Sequence, residues 1–96
     1  MANELSDVWF IYMLECKNGR LYTGITPDLA ERFRKHSTGK GAMFTRLNTP
    51  LKMIAAMPCA NRSAATRLER VIKGLTHDQK LFMASTWTLH DNLPAM

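Results

Sequence analysis

VWFIYMLECKNGRLYTGITPD, residues 8–28, decides the fold. Its first part, Val8 to Glu15, carries the unbroken apolar run Trp9-Phe10-Ile11-Tyr12-Met13-Leu14 rather than an alternating pattern, so it reads as a strand covered on both faces and central in its sheet. Asn18-Gly19 signals a hairpin, and two registers are open. A two-residue Asn18-Gly19 loop pairs Tyr12 with Ile25 and Glu15 with Tyr22, which puts the tyrosines on opposite faces. A three-residue Lys17-Asn18-Gly19 loop, with Gly19 left-handed in a bulge, pairs Tyr12 with Gly24 and Leu14 with Tyr22. The second register is the expectation, because only it gathers both hydroxyls, although the Asn-Gly dipeptide alone favours the first.

Outward from this hairpin, Thr26 is expected to cap a helix from about Pro27 to Ser37, with Asp28 complementing its positive end. Leu29, Ala30 and Phe33 form its buried stripe, and Arg32 and His36, four apart, share a face beside it. Ser37 to Pro50 is basic and glycine-bearing, with a short helix over Ala42 to Leu47. Leu51 to Met57 reads as a third strand ended by Pro58. Asn61 caps a helix facing the core through Ala64, Leu68, Val71 and Ile72, and Gly74 ends it. Thr76-His77-Asp78-Gln79 has the form of a capping box, opening a last helix that carries Leu81, Phe82 and Met83. The plan is one domain over residues 1–85 and an irregular C-terminal tail over 86–96. Its fold class is α/β (α+β), topology ββαβαα. A right-handed crossover places the third strand beside the first, giving a three-stranded antiparallel or mixed sheet of order 2-1-3 flanked by helices.

Ninety-six residues, 46% of them hydrophobic, suit one modest core and leave no room for a second domain. No apolar run reaches the roughly 18 residues of a membrane span, and Met1-Ala2-Asn3-Glu4 lacks a signal-peptide pattern, so a cytoplasmic protein is expected. Cys16 and Cys59 are isolated, with no zinc-ligand spacing, and read as buried reduced thiols. Residues 17–73 hold twelve bases and three acids, a charge of +9, whereas the flanks hold one base and five acids. That clustering is the electrostatic footprint of a phosphate-backbone partner. It disfavours a purely structural domain.

Phe10-Ile11-Tyr12, Tyr22-Thr23-Gly24, Gly39-Lys40-Gly41-Ala42, Phe44-Thr45-Arg46, Arg62-Ser63 and Leu68-Glu69 stand in the order and spacing of one family. The chain resembles the GIY-YIG nuclease superfamily, and most of all its small stand-alone bacterial members, over nearly its whole length. It departs from the pattern at Phe10, where the superfamily name has glycine, and at Ile25, where many relatives have lysine. The resemblance implies a metal-dependent endonuclease that hydrolyses phosphodiester bonds in DNA. A catalytically inactive nucleic-acid-binding module is the alternative, and Glu69, which such a module does not need, discriminates between them. In the first reading Tyr12 activates water, Tyr22 orients it or the phosphate, Arg32 stabilises charge, and His36 bonds a tyrosine or phosphate. Glu69 holds one Mg²⁺ or Mn²⁺. Gly24, Arg34, Lys40, Arg46 and Arg62 form the nucleic-acid-binding set.

Each of these residues also has a plainer role. Glu69 can pair with Arg32 or Arg70, Arg32 with Asp28, and His36 can face solvent at its helix end. Gly24 can serve strand packing beside a bulky neighbour. The tyrosines can be ordinary strand aromatics. An unperturbed phenol, with a pKa near 10, is a poor base at neutral pH, so the catalytic role of Tyr12 calls for nearby positive charge, which Arg32 is expected to supply.

Overall fold

The computed structural model describes residues 8–90. Its elements are β1 (Trp9–Cys16), β2 (Leu21–Thr26), α1 (Leu29–Ser37), α2 (Met43–Leu47), β3 (Pro50–Cys59), α3 (Arg62–Lys73) and α4 (His77–Ser85). The sheet order is β2-β1-β3, and β1 is antiparallel to both neighbours. Ile11, Tyr12, Met13 and Leu14 are wholly inaccessible to solvent, as the continuous apolar run requires of a central strand. Each contributes on the order of 1.5–3 kcal/mol by its burial.

The alternation of β1 divides the core. Ile11 and Met13 face Ile72 of α3, Ala84 of α4 and Trp87. Tyr12 and Leu14 face the other way, onto Phe33 of α1, Met53 and Ala56, with Tyr22 and Leu29 packed against them. The hairpin takes the three-residue register, pairing Tyr12 with Gly24 and Leu14 with Tyr22, and Gly19 is left-handed at φ 81°. The Cys16 N–H donates to the Arg20 carbonyl across the loop. Both tyrosines therefore lie on the face under α1.

Several local expectations are corrected. Helix α1 starts at Leu29 rather than Pro27, and its N-cap is Asp28, whose Oδ1 accepts from the Glu31 N–H at 3.1 Å. Asp caps at least as well as Thr, and Thr26 instead accepts the Asp28 N–H. Ala30 is exposed, because the buried stripe is Leu29, Phe33 and His36, spaced i, i+4, i+7. Strand β3 runs through Pro58 to Cys59, which an edge strand permits because a missing donor on its outer side is not needed. In α3 the buried positions are Ala65 and Ile72, whereas Val71 is 59% exposed. In α4 the capping box is present, but Phe82 is 73% exposed and the buried residue is Ala84.

The stretch assigned to the tail is packed through residue 90. Trp87 is buried in the core, and Leu89 exchanges both backbone hydrogen bonds with Ala56 at 3.0 Å. The rest of that segment, 91–96, lies outside the described residues, as does the stretch 1–7. Cys16 is buried and Cys59 partly so, and both are free thiols. Among the described residues no helix is long and apolar enough to cross a membrane.

Candidate active site

The register that puts Gly24 opposite Tyr12 leaves a space where a side chain would stand, and the phenol fills it. A Cβ on Gly24 would collide with Tyr12 Oη and lie 2.6 Å from Cζ. The glycine thus makes room for the tyrosine, as its packing role requires. Above the phenol, α1 delivers His36 from its buried stripe. Tyr12 Oη and His36 Nε2 are 2.8 Å apart, and Arg32 Nε donates to Tyr12 Oη at 3.4 Å. Tyr22 completes the group, with its ring centroid 6.2 Å from Tyr12 and 5.1 Å from His36. Tyr12, Tyr22, Arg32 and His36 are therefore together, and His36 is only 1% exposed, so its solvent-facing reading is discarded.

The loop after α1 locks the imidazole in place. The helix ends in a Schellman arrangement, in which the Lys40 N–H donates to Lys35 and the Gly39 N–H to His36, with Gly39 at φ 79°. Gly41 packs on His36 so closely that any Cβ there would lie 2.9 Å from the histidine Cα. Thr45 of α2 then reaches His36 Nδ1 at 2.7 Å. Because the Thr45 hydroxyl donates to the Ala42 carbonyl at 2.9 Å, it accepts from Nδ1–H, which assigns the tautomer. His36 Nε2 is left as an acceptor, and Tyr12 donates to it.

Burial decides the acid–base character of this chain. It pushes the Tyr12 phenol well above its ordinary range, outweighing the opposing pull of Arg32, and the Tyr22 phenol adds to the rise. The expectation that Arg32 makes Tyr12 a readier base is thus corrected. Desolvation is the larger effect. Burial, with the Arg32 charge behind it, pushes His36 down to about 4, so the imidazole is neutral at physiological pH and able to accept a proton.

Glu69 sits on α3, which packs against β1 and β2 on the sheet face opposite α1. Its carboxylate, 20% exposed, pairs with Lys73 at 3.2 Å rather than with Arg32 or Arg70. Lys73 Nζ in turn lies 6.0 Å from the Tyr22 ring centroid, linking Glu69 to the tyrosine group around the β2 edge. No cluster of three or more His, Cys, Asp or Glu exists among the described residues. Were Glu69 to hold a cation it would do so as a lone carboxylate, a donor that suits a Mg²⁺-like ion keeping several waters and taking further oxygens from a substrate phosphate.

The remaining candidates differ in availability. Arg34 is gripped by Glu31 through Nε and Nη2, the shortest contact being 2.7 Å, and its charge is cancelled there. Lys40 and Arg46 are exposed. Arg62 lies over Trp9, 5.2 Å from the ring centroid. Arg32 forms no salt bridge with Asp28, whose carboxylate is the helix cap. Three residues at the site escape the sequence reading. Lys73 was signalled by its i, i+4 spacing from Glu69. Thr45 stood within the Phe44-Thr45-Arg46 match without an assigned role, and Trp9 carried no such signal, since its partner Arg62 comes from a distant element.

The family profile of the GIY-YIG catalytic domain matches residues 8–81. A UPF0213 protein of Xanthomonas axonopodis pv. citri is 43% identical over 89 residues, covering 91% of this chain and 87% of that one. A UPF0213 protein of Cronobacter sakazakii is 47% identical over 74 residues, covering 77% and 78%. The solution NMR structure of a UPF0213 protein from Bacillus halodurans superposes with a TM-score of 0.52 at 37% identity, covering 81% of this chain and 83% of the other.

Proposed function

This chain belongs to the GIY-YIG catalytic-domain family, and from that premise we propose that it is a divalent-cation-dependent endonuclease hydrolysing phosphodiester bonds in DNA in the cytoplasm. The observation that carries the reading is Tyr12 Oη, held between a neutral His36 Nε2 at 2.8 Å and the Arg32 guanidinium at 3.4 Å. A phenol this hard to ionise does not act as a standing phenolate. It acts by passing its own proton to His36 as it takes one from the attacking water. The water oxygen bonds to phosphorus, the bond to the leaving strand oxygen breaks, and solvent protonates that oxygen.

Tyr12 is closed to solvent, whereas Tyr22 and Arg32 are only partly buried. The 3.4 Å hydrogen bond from Arg32 is long and correspondingly weak. A phosphate that draws the guanidinium outward into a bidentate pair uncovers the Tyr12 hydroxyl and places charge stabilisation at the developing anion. Tyr22, beside both, orients the water. Glu69, the carboxylate able to share a cation with the phosphate, would hold Mg²⁺ or Mn²⁺, which supplies Lewis-acid charge neutralisation.

A second reading, a nucleic-acid-binding module that does not turn over, is favoured by one observation: Glu69 is already neutralised by Lys73. Incubation with plasmid, branched and single-stranded DNA, with Mg²⁺ or Mn²⁺, separates the two. The wild type should cleave, and Tyr12→Phe and Glu69→Ala should not. Mg²⁺-dependent cleavage retained in Glu69→Ala would remove that residue from the mechanism, and a wild type that binds DNA without cutting any substrate would establish the second reading.

A further inference from the structure

Beside the tyrosine group lies a cleft of about 410 Å³ whose lining includes Trp9, Ile25 and Pro27, the bases Arg32, Lys35 and Arg62, and the acids Asp28 and Glu31. Its volume falls within the roughly 300–1,000 Å³ of small-ligand sites. The two acids are already engaged, Asp28 as the helix cap and Glu31 with Arg34. Arg32, Lys35 and Arg62 form no ion pair among the described residues. The lining thus carries three bases against two acids, a net charge of +1 with the bases left free to meet a phosphate, and its apolar surface is an indole flanked by Ile25 and Pro27.

We propose that this cleft is a subsite for one unpaired nucleotide next to the scissile phosphate, so that the substrate is DNA with a single-stranded segment at the cut. The inference rests on the nuclease reading and names its substrate class. A phosphate alone would call for the cations and not the indole; an apolar ligand would call for the indole and not three cations. A nucleotide calls for both. Arg62 already covers the Trp9 ring at 5.2 Å, showing that one ring face accepts a planar cationic partner. A base stacked on that face displaces the exposed guanidinium, which then pairs with the phosphate of the same nucleotide, and stacking on an aromatic exceeds an exposed cation–π contact in strength. Arg32 borders both the cleft and Tyr12, so a nucleotide seated there has its neighbouring phosphate at the reacting group. A base within a duplex is stacked and paired and does not enter.

The test is made on the full chain in EDTA, so that binding is read without cleavage. The probes are oligothymidylate, a blunt duplex, and the same duplex with a single-stranded tail. Oligothymidylate and the tailed duplex should quench tryptophan emission. Trp87 is buried at 4% exposure, so the quenched fraction belongs to Trp9 and should vanish in Trp9→Phe, which keeps a ring and safeguards the strand. Trp9→Leu should weaken the two single-stranded probes by about tenfold or more, the loss expected of one stacked base, and the blunt duplex by less than twofold. Equal losses on all three probes, no quenching at saturation, or a wild type indifferent to the tail would overturn the subsite while leaving DNA binding intact. Failure to bind any of the three would instead remove the nuclease reading beneath it.

Discussion

At the scale of single residues, His36 is the group whose chemistry the fold sets most firmly. Its imidazole is pushed down to about 4, chiefly by burial, against an ordinary value of 6.5. An unfolded chain therefore binds a proton at His36 between those two values, and the folded chain does not. Stability contributed by the neutral imidazole is fully present above about 6.5 and is lost as pH falls toward 4. Thermal melts across that window should show a steeper acid loss in the wild type than in His36→Gln; parallel curves would mean that the histidine is hydrated and titrates normally. Cleavage should stay competent down through pH 6, since the proton acceptor is still neutral there. Lys73 makes a second case. It holds the carboxylate that a divalent cation would need, and a partly exposed pair of this kind is worth only about 0.2–1 kcal/mol. Lys73→Met should accordingly tighten Mn²⁺ binding by a few-fold, read from the paramagnetic resonance of free Mn²⁺. Unchanged or weaker binding would show that the lysine does not compete for Glu69.

At the scale of elements, the β1–β2 hairpin carries two glycines with different tasks. Gly19 has φ 81° and open space around its missing Cβ, so Gly19→Ala should cost about 1–2 kcal/mol of backbone strain and leave the site intact once folded. Gly24 has ordinary φ and no space, so Gly24→Ala should destabilise by about 1–3 kcal/mol through overpacking and also displace the phenol from His36. Melting temperature and cleavage, measured on both, should fall together at Gly24 and separately at Gly19. Cleavage lost in a folded Gly19→Ala would contradict this division. The hairpin register was legible from sequence because only one loop length set both tyrosines on a common face. The phase of α3 was not. Its apolar positions 64, 65, 68, 71 and 72 contain two overlapping stripes that share Leu68, and only contact with the sheet selects Ala65, Leu68 and Ile72 over Ala64 and Val71. The cap of α1 was misread for a related reason, since Thr26 and Asp28 both carry capping oxygens and only the turn at Pro27 selects Asp28. The grouping of Tyr12, Tyr22, Arg32 and His36 was legible from local spacing, whereas the raised phenol was not, because only the packed site decides that burial outweighs the pull of Arg32.

At the scale of the molecule, the bases stand on both sides of the tyrosine group. Arg32, Lys35 and Arg62 border the Trp9 cleft, and Arg20, Lys73 and Lys80 border the clefts around Phe44, next to Tyr22. A backbone crossing the site from one to the other meets cations before and after the reacting phosphate. Such binding weakens with salt in proportion to the phosphates neutralised, with a log–log slope of about −0.9 per contact on a duplex. The useful comparison is between neighbours on α1. Lys35 lines the cleft and forms no ion pair among the described residues, whereas Arg34, one position earlier, is held by Glu31. Net charge changes equally when either is neutralised. If the protein attracts DNA merely through its overall field, Lys35→Gln and Arg34→Gln should flatten the salt dependence alike. If binding follows the path the unpaired cations mark, Lys35→Gln and Lys80→Gln should each reduce the slope by about one. Arg34→Gln should then leave it unchanged, because its guanidinium is engaged by Glu31 and neutralises no phosphate. Affinity titrations over a range of salt concentrations on these three variants decide between field and path, and a slope change at Arg34 matching that at Lys35 would refute the path.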